Sequence, residues 1–174
     1  NHKPGDLKMR LLSKEERRNT WMAGNDIDQM PDNSYVSQPC GTHDSPDFIV
    51  KVEGKMHFIE CKSGNNPTPV YNSAYPKKQY IYIFCCKKYD ETTVYLGGDI
   101  VTENTSKLYE DMKAEISLIE EKYSSLLKES DVNSRGLGYY NREMYVQEGG
   151  KEKTDYFKHA QRERCEKNVL EFVS

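Results

Sequence analysis

The sequence lacks several features that would assign it to a special class of protein. No apolar run approaches the roughly 18 consecutive residues of a transmembrane helix, and no segment has the composition of a signal peptide. Lysine and arginine total 25 against 28 aspartates and glutamates, so the formal net charge is −3 and the chain is not a uniformly basic nucleic-acid coat. Contact with a nucleic acid would therefore have to come from local basic patches.

Cysteine usage gives no sign of a zinc site or of a disulfide framework. The five cysteines are odd in number, two are adjacent inside an apolar run, and no CxxC pair occurs. They are Cys40, Cys61, Cys85, Cys86 and Cys165. The simplest interpretation is buried, reduced thiols, which predicts a reducing compartment such as the cytoplasm.

The length and the aromatic content favour one globular domain. With 174 residues, thirteen tyrosines and five phenylalanines, the chain can bury a core. It shows neither an internal repeat nor a second core, so we expect a single α/β domain over residues 1–174. The chain opens at Asn1 rather than Met, which leaves open the loss of an N-terminal segment.

Apolar periodicity and turn residues predict the order of the secondary-structure elements. The prediction is a helix over 1–24, a loop over 25–45, strands over 47–52 and 55–62, an irregular stretch over 63–79, strands over 80–86 and 92–96, a helix over 106–128, loop or weak strand over 133–150, and a helix over 156–173. The continuous apolar run at 80–86 is typical of a central strand buried on both faces. In the last helix, Val169, Leu170 and Val173 are predicted to face inward.

The first two strands are predicted to form a hairpin whose register follows from its turn. Glu53-Gly54 suits a two-residue loop, which places Asp47 directly opposite Glu60. Because side chains alternate along a strand, Asp47, Glu60 and Lys62 share one face. The other face is predicted to be the core face, and it carries Phe48, Val50, Ile59 and Cys61. A second Pro-Asp pair, Pro31-Asp32, precedes no comparable strand pattern and is interpreted as loop.

Two acids and a lysine on one sheet face predict a metal site. Carboxylates placed directly opposite have Cβ atoms roughly 5 Å apart and destabilise each other, so a cation between them is favoured. Mg²⁺ accepts carboxylate and phosphate oxygens, and Lys62 could orient water or stabilise charge on a phosphate. The alternative is a solvated hairpin whose Asp47, Glu60 and Lys62 are ordinary surface residues.

Pro46-Asp47, an interval of twelve residues, and Glu60-Cys61-Lys62 together resemble the signature of the PD-(D/E)XK nucleases, whose best-known members are the type II restriction endonucleases. The resemblance implies a restriction-endonuclease-like α/β fold, with a central mixed sheet, a catalytic hairpin and flanking helices. It also implies sequence-specific, Mg²⁺-dependent hydrolysis of double-stranded DNA, with Mn²⁺ able to substitute. A repair, recombination or RNA-cleaving nuclease and a catalytically silent nucleic-acid-binding domain remain alternatives.

The same resemblance implies roles for individual residues. Asp47 and Glu60 would be catalytic acids and metal ligands, the backbone carbonyl of Cys61 a further ligand, and Lys62 the catalytic lysine. An accessory acid from an N-terminal helix would be Glu16, with Glu15 as the second choice. The Cys61 side chain is assigned to packing, no membrane contact is expected, and a homodimer is left open.

Two further segments are predicted to contact DNA. In 64–79, polar side chains can bond base edges and lysines can bind phosphates. The residues are Asn65, Asn66, Asn72, Ser73, Lys77 and Lys78. In 133–142, arginine can read guanine and tyrosine can stack on bases. The residues are Arg135, Tyr139, Tyr140, Asn141 and Arg142. The alternatives are a turn-rich connection and a plain surface loop.

Overall fold

The central sheet is mixed and contains five strands. The computed structural model describes residues 30–40, 45–72, 74–130, 141, 143–149 and 152–174. The strands are β1 (Ser34–Ser37), β2 (Phe48–Val52), β3 (Lys55–Gly64), β4 (Val70–Asn72), β5 (Tyr80–Cys86), β6 (Glu91–Leu96), β7 (Met144–Val146), β8 (Glu148–Gly149) and β9 (Glu152–Lys153). The helices are α1 (Glu103–Ser130) and α2 (Arg162–Val173), with short 3₁₀ turns at Gly97–Asp99 and Tyr156–Lys158. The five strands of the central sheet lie in the order β1-β2-β3-β5-β6. The predicted α/β class and the mixed sheet flanked by helices are therefore confirmed.

The β2–β3 hairpin has the predicted register. Phe48 is paired with Ile59 and Val52 with Lys55. The turn residues Glu53 and Gly54 have φ values of 51° and 74°, which is the left-handed pattern of a type I′ turn. The turn chemistry therefore fixes the pairing that brings residues 47 and 60 to the same level of the sheet.

The prediction of which hairpin face packs into the core is wrong. Cys61 is exposed, and Phe48, Val50 and Ile59 are only half-buried, whereas Glu60 on the opposite face is 8% exposed. The reason is the parallel pairing of β3 with β5, which sets Glu60 beside Tyr82 and Lys62 beside Phe84. The acids therefore lie on the face that carries the main aromatic core.

Strands β3 and β5 are parallel, so the chain between them must cross the sheet. That crossover contains β4, a strand within the predicted irregular stretch, which pairs antiparallel with β7. A second unpredicted strand, β1, pairs antiparallel with β2 inside the stretch predicted as loop. Both strands are short, three and four residues, and neither has an apolar alternation that periodicity could detect.

Tyrosine supplies much of the core. Buried aromatic side chains from β4, β5, β6 and the second 3₁₀ turn form one cluster, namely Tyr71, Tyr80, Tyr82, Phe84, Tyr95 and Tyr156. The Tyr71 and Tyr95 hydroxyls are hydrogen-bonded at 2.9 Å, and the rings of Tyr82 and Tyr95 stack with centroids 5.5 Å apart. Pairing the hydroxyls in this way allows large rings to be buried without leaving polar atoms unsatisfied.

Helix α2 packs against β6 at the edge of the sheet. Thr93 donates a hydrogen bond to Glu166 at 2.7 Å, and Cys165 and Val169 are buried. The predicted inward orientation is thus correct for Val169. It is wrong for Leu170 and Val173, which are 64% and 38% exposed: the buried residues of the helix are Cys165 and Val169, four residues apart, and Leu170 lies about 100° around the helix from Val169.

All five cysteines are free thiols, but the prediction that they are buried holds only for Cys40, Cys86 and Cys165. Cys61 and Cys85 occupy neighbouring strands and are exposed. Within the part of the chain that the structure describes, no helix has the length and apolar composition needed to cross a membrane. The predicted helix over 1–24 lies outside the described residues.

Candidate active site

Asp47 is held at the entrance to β2 by the backbone around it. The preceding Pro46 is fully buried, and the Asp47 carbonyl accepts a hydrogen bond of 2.6 Å from the backbone N–H of Gln38. The Asp47 Oδ2 atom accepts a second hydrogen bond from the backbone N–H of Cys61, at 2.8 Å. The carboxylate is therefore fixed against β3 at the residue that separates Glu60 from Lys62.

Glu60 and Lys62 form an ion pair on the inner face of β3. The Lys62 Nζ atom donates to Glu60 Oε1 at 2.7 Å, and the Lys62 and Glu60 side chains are only 14% and 11% exposed. A charge pair held this far from solvent is not screened as a surface pair is. The ammonium therefore has a defined position beside the carboxylates.

Glu60 has one oxygen that the protein does not satisfy. Its Oε2 atom is buried and has no hydrogen-bond partner among the described residues. Burial raises the pKa of the Glu60 carboxyl above its ordinary value; the charge of Asp47 adds to this rise, and Lys62 opposes it. A buried carboxylate oxygen without a partner is costly to a fold, which makes Glu60 Oε2 a candidate ligand atom for a bound group.

The donor set fits a hard divalent cation. Carboxylate oxygens of Asp47 and Glu60 and the backbone carbonyl of Cys61 are the ligand types that Mg²⁺ accepts, together with water and phosphate oxygens. Within the described ranges, no group of three or more His, Cys, Asp or Glu side chains is placed to hold a metal ion. Such a cation would therefore depend on backbone, water or substrate oxygens for the rest of its shell.

Two grooves, each of about 560 Å³, flank the end of β3 that carries Lys62. Ser63, Gly64 and Asn65 line both of them. One groove also includes Asn66 from the crossover and Asp155 from the segment before the second 3₁₀ turn. The predicted DNA-contacting asparagines Asn65 and Asn66 are thus exposed, directly beyond the strand that holds the acids.

The β4–β7 pair links the first segment predicted to contact DNA to the strand that follows the second segment. Asn72 is exposed at the end of β4 and is paired with Met144, three residues beyond the half-buried Asn141. Periodicity could not reveal this pairing because both strands have only three residues. The pairing therefore sets β4, which belongs to the first segment, beside a strand that begins two residues after the second segment ends, and Asn141 is the one residue of that second segment among those described.

The predicted phosphate-binding lysines already have protein partners. The Lys77 ammonium lies 4.2 Å from the centroid of the Tyr75 ring, and Lys78 forms an ion pair with Glu103. Neither lines the two grooves beside β3. Phosphate binding by these two lysines stays a prediction, and a phosphate would have to compete with their contacts to Tyr75 and Glu103.

Several predicted site residues lie outside the described residues. They are the accessory acid Glu16, its alternative Glu15, and the DNA contacts Ser73, Arg135, Tyr139, Tyr140 and Arg142. Sequence reasoning in turn missed Asp155, whose Oδ2 accepts a hydrogen bond from Tyr89 at 2.7 Å while its buried Oδ1 has no partner among the described residues. Nothing in the local sequence around Asp155 distinguishes it from the other surface acids.

Comparison with protein-family models, with curated proteins and with solved structures finds no match to this chain. The features of this chain that point to a function are therefore the geometry of the hairpin and the short motif that it carries.

Proposed function

We propose that the protein is a Mg²⁺-dependent endonuclease that hydrolyses phosphodiester bonds of double-stranded DNA at a specific sequence, in the manner of a type II restriction enzyme. The observation that carries the proposal is the convergence of Asp47, Glu60 and Lys62 at one point of the hairpin. Asp47 bonds the N–H of Cys61 at 2.8 Å, and Lys62 pairs with Glu60 at 2.7 Å. The finer assignment to the restriction-endonuclease fold is part of the same proposal.

Asp47, Glu60 and the Cys61 carbonyl would hold the metal ion. When bound, Mg²⁺ supplies Lewis acidity toward a phosphate oxygen and a more acidic bound water. The buried Glu60 Oε2, which has no partner among the described residues, is the atom best placed to gain a ligand. Asp47 would enter the site through Oδ1, since Oδ2 is used by the backbone of β3.

Lys62 would act on the reacting phosphate. In the hydrolysis, a water oxygen forms a bond to phosphorus and one ester P–O bond breaks. The proton that the water loses ends on the leaving oxygen, so the products are a phosphomonoester and a free hydroxyl group. The ammonium of Lys62 stabilises the negative charge that develops on the phosphate oxygens. Its low exposure strengthens this electrostatic effect because little water surrounds it.

The DNA would be read beyond the carboxyl end of β3. Asn65 and Asn66 are exposed there, and the amide of asparagine can bond a base edge through two hydrogen bonds. The β4–β7 pair extends this surface with Asn72. A cytoplasmic location is also part of the proposal, and the five free thiols support it because a reducing compartment keeps thiols free.

A digest of plasmid DNA tests the proposal. The wild-type protein with Mg²⁺ should give discrete fragments, and removal of Mg²⁺ with a chelator should abolish them. Asp47→Asn should lower cleavage by a factor on the order of 10² or more because a metal ligand is lost. Asp32→Asn is the matched control, since Asp32 also follows a proline and also accepts a hydrogen bond from the hairpin backbone, at the N–H of Gly54.

Each outcome of the digest has a defined meaning. A smear in place of discrete fragments would favour a repair or recombination nuclease, and cleavage confined to RNA would favour a ribonuclease of the same core. DNA binding with no cleavage under any divalent metal would show that the hairpin acids are not catalytic. Equal activity of Asp47→Asn and Asp32→Asn would remove Asp47 from the site.

A further inference from the structure

Helix α1 makes its polar and ring contacts with the rest of the described chain near its beginning. The Tyr109 ring packs on Tyr75 and Tyr145, with centroids 5.3 and 5.0 Å apart, and Lys113 pairs with Glu143 at 3.2 Å. From residue 114 to residue 130, none of the described residues outside the helix makes a hydrogen bond, ion pair or ring contact with it. Although α1 has 28 residues, none of them is buried.

An apolar stripe follows this helix, which we name the α1 seam. Its members are Met112, Ile116, Ile119, Tyr123 and Leu126. The steps between them alternate between four and three residues, which is the spacing of the a and d positions of a coiled coil. Ile119 is 57% exposed and Tyr123 is 52% exposed, so the seam has the pattern of an interface without its partner.

The charges beside the α1 seam select the orientation of a partner. Lys113 and Glu120 flank one side, and Glu115 and Lys122 flank the other, at e and g positions respectively. In an antiparallel pair of identical helices, like flanks face each other, so Lys113 meets Glu120 and Glu115 meets Lys122 of the other helix. In a parallel pair, Glu115 would face Glu120, which places like charges together.

We propose that α1 associates with α1 of a second copy of this chain as an antiparallel coiled coil. Ile116 of one copy packs against Ile119 of the other at the centre. The two-fold symmetry repeats each of the two opposite-charge contacts, which doubles their number. Lys113 is 51% exposed even while it pairs with Glu143, so its ammonium is accessible to the second copy. This association does not depend on the proposed nuclease activity.

Sedimentation velocity of the full chain over a concentration series tests the association. The wild-type protein should show a concentration-dependent dimer. Ile119→Asp should raise the dimer dissociation constant by about two orders of magnitude or more, because two charges would be buried in the seam. Leu118→Asp is the matched control: Leu118 is 67% exposed on the same helix but lies outside the α1 seam, so the dimer should persist. A monomeric wild-type protein at every concentration would overturn the proposal.

Charge-reversal variants test the relative orientation of the two α1 helices without changing any apolar or buried residue. Glu115→Lys should weaken an antiparallel dimer because the introduced ammonium would face Lys122 of the other copy, whereas it would tighten a parallel dimer by facing Glu120. Adding Lys122→Glu should restore the wild-type dissociation constant. Tighter association of the single variant, or no recovery in the double variant, would overturn the antiparallel arrangement. Because both positions are exposed, the variants should fold as the wild type does, which circular dichroism checks.

Discussion

At the scale of single residues, the hairpin buries two titratable side chains that the described part of the chain leaves partly unsatisfied. The Oε2 atom of Glu60 is buried and has no hydrogen-bond partner among the described residues. Both ring nitrogens of His57 are also buried and also have no partner among them. These two groups affect stability in opposite directions as the pH changes, because burial favours the neutral form of each. For Glu60 the unpaired oxygen belongs to the candidate metal site, whereas His57 has no such role.

His57 should make the fold less stable in mild acid. Burial lowers the pKa of His57 below its ordinary value, and the positive charge of Lys55 lowers it further. Below about pH 6.5, His57 therefore binds a proton in the unfolded chain more readily than in the folded chain. The free energy of unfolding falls as the pH falls. Urea unfolding at a series of pH values between about 7.5 and 5.5 should show this decline.

The variant His57→Leu identifies the source of the decline. It removes the titrating ring, which contacts Phe172 at a centroid distance of 5.7 Å, and should flatten the pH dependence across that window. His159→Gln, a change at an exposed histidine outside the hairpin, is the matched control. An equal decline in wild type and His57→Leu would show that another group is responsible.

At the scale of elements, the β2–β3 turn is the local feature on which the candidate site depends. Glu53 and Gly54 both have positive φ, and the resulting register sets Asp47 beside the backbone of β3. The register could be predicted from the sequence because a two-residue loop fixes every residue pair in the hairpin. Which face of the hairpin is buried could not be predicted from the sequence. It is decided by the parallel pairing of β3 with β5, and the crossover separates these two strands in the chain.

Substitutions in the turn should change stability through conformation alone. A Cβ at Gly54 would meet nothing within 4 Å, so Gly54→Ala should cost about 1 kcal/mol from the left-handed backbone only. Glu53→Asn should raise the free energy of unfolding by about a few tenths of a kcal/mol or more, because asparagine tolerates this conformation. Chemical denaturation measures both changes.

Gly98→Ala is the control for the turn variants. Gly98 does not have a positive φ, and a Cβ there would be in ordinary contact, 3.6 Å from the carbonyl oxygen of Lys78. Its effect on stability should therefore be smaller than that of Gly54→Ala. The reverse order would contradict the type I′ turn on which the register depends.

At the scale of the whole molecule, the sheet brings together residues that are distant in the chain. Sequence patterns predicted the hairpin, β5, β6 and α1, because each has a local periodicity or a turn signal. They could not predict β1 or the β4–β7 pair, since short strands are stabilised by neighbours rather than by their own composition. The proximity of Asn72 to the segment after residue 141 and the groove containing Asp155 follow from those pairings.

The catalytic proposal requires that Lys62 matter more to the reaction than to the fold. Its ammonium is held 2.7 Å from Glu60, so its removal leaves a buried carboxylate less well compensated. Under the proposed mechanism, Mg²⁺ at saturation would replace much of that compensation, whereas the positive charge that Lys62 would place beside the phosphate would be lost. Lys55→Ala, a change at an exposed lysine on the same strand, is the matched control.

The most direct test is the single-turnover cleavage rate of Lys62→Ala on DNA that the wild-type protein cuts, at saturating Mg²⁺. Thermal unfolding and DNA affinity are measured in parallel for Lys62→Ala and Lys55→Ala. We predict that Lys62→Ala lowers the rate by a factor on the order of 10² or more, with DNA affinity and folding retained and Lys55→Ala unaffected. A folded, DNA-binding Lys62→Ala protein that cleaves at the wild-type rate would contradict the assignment of this hairpin as the active site.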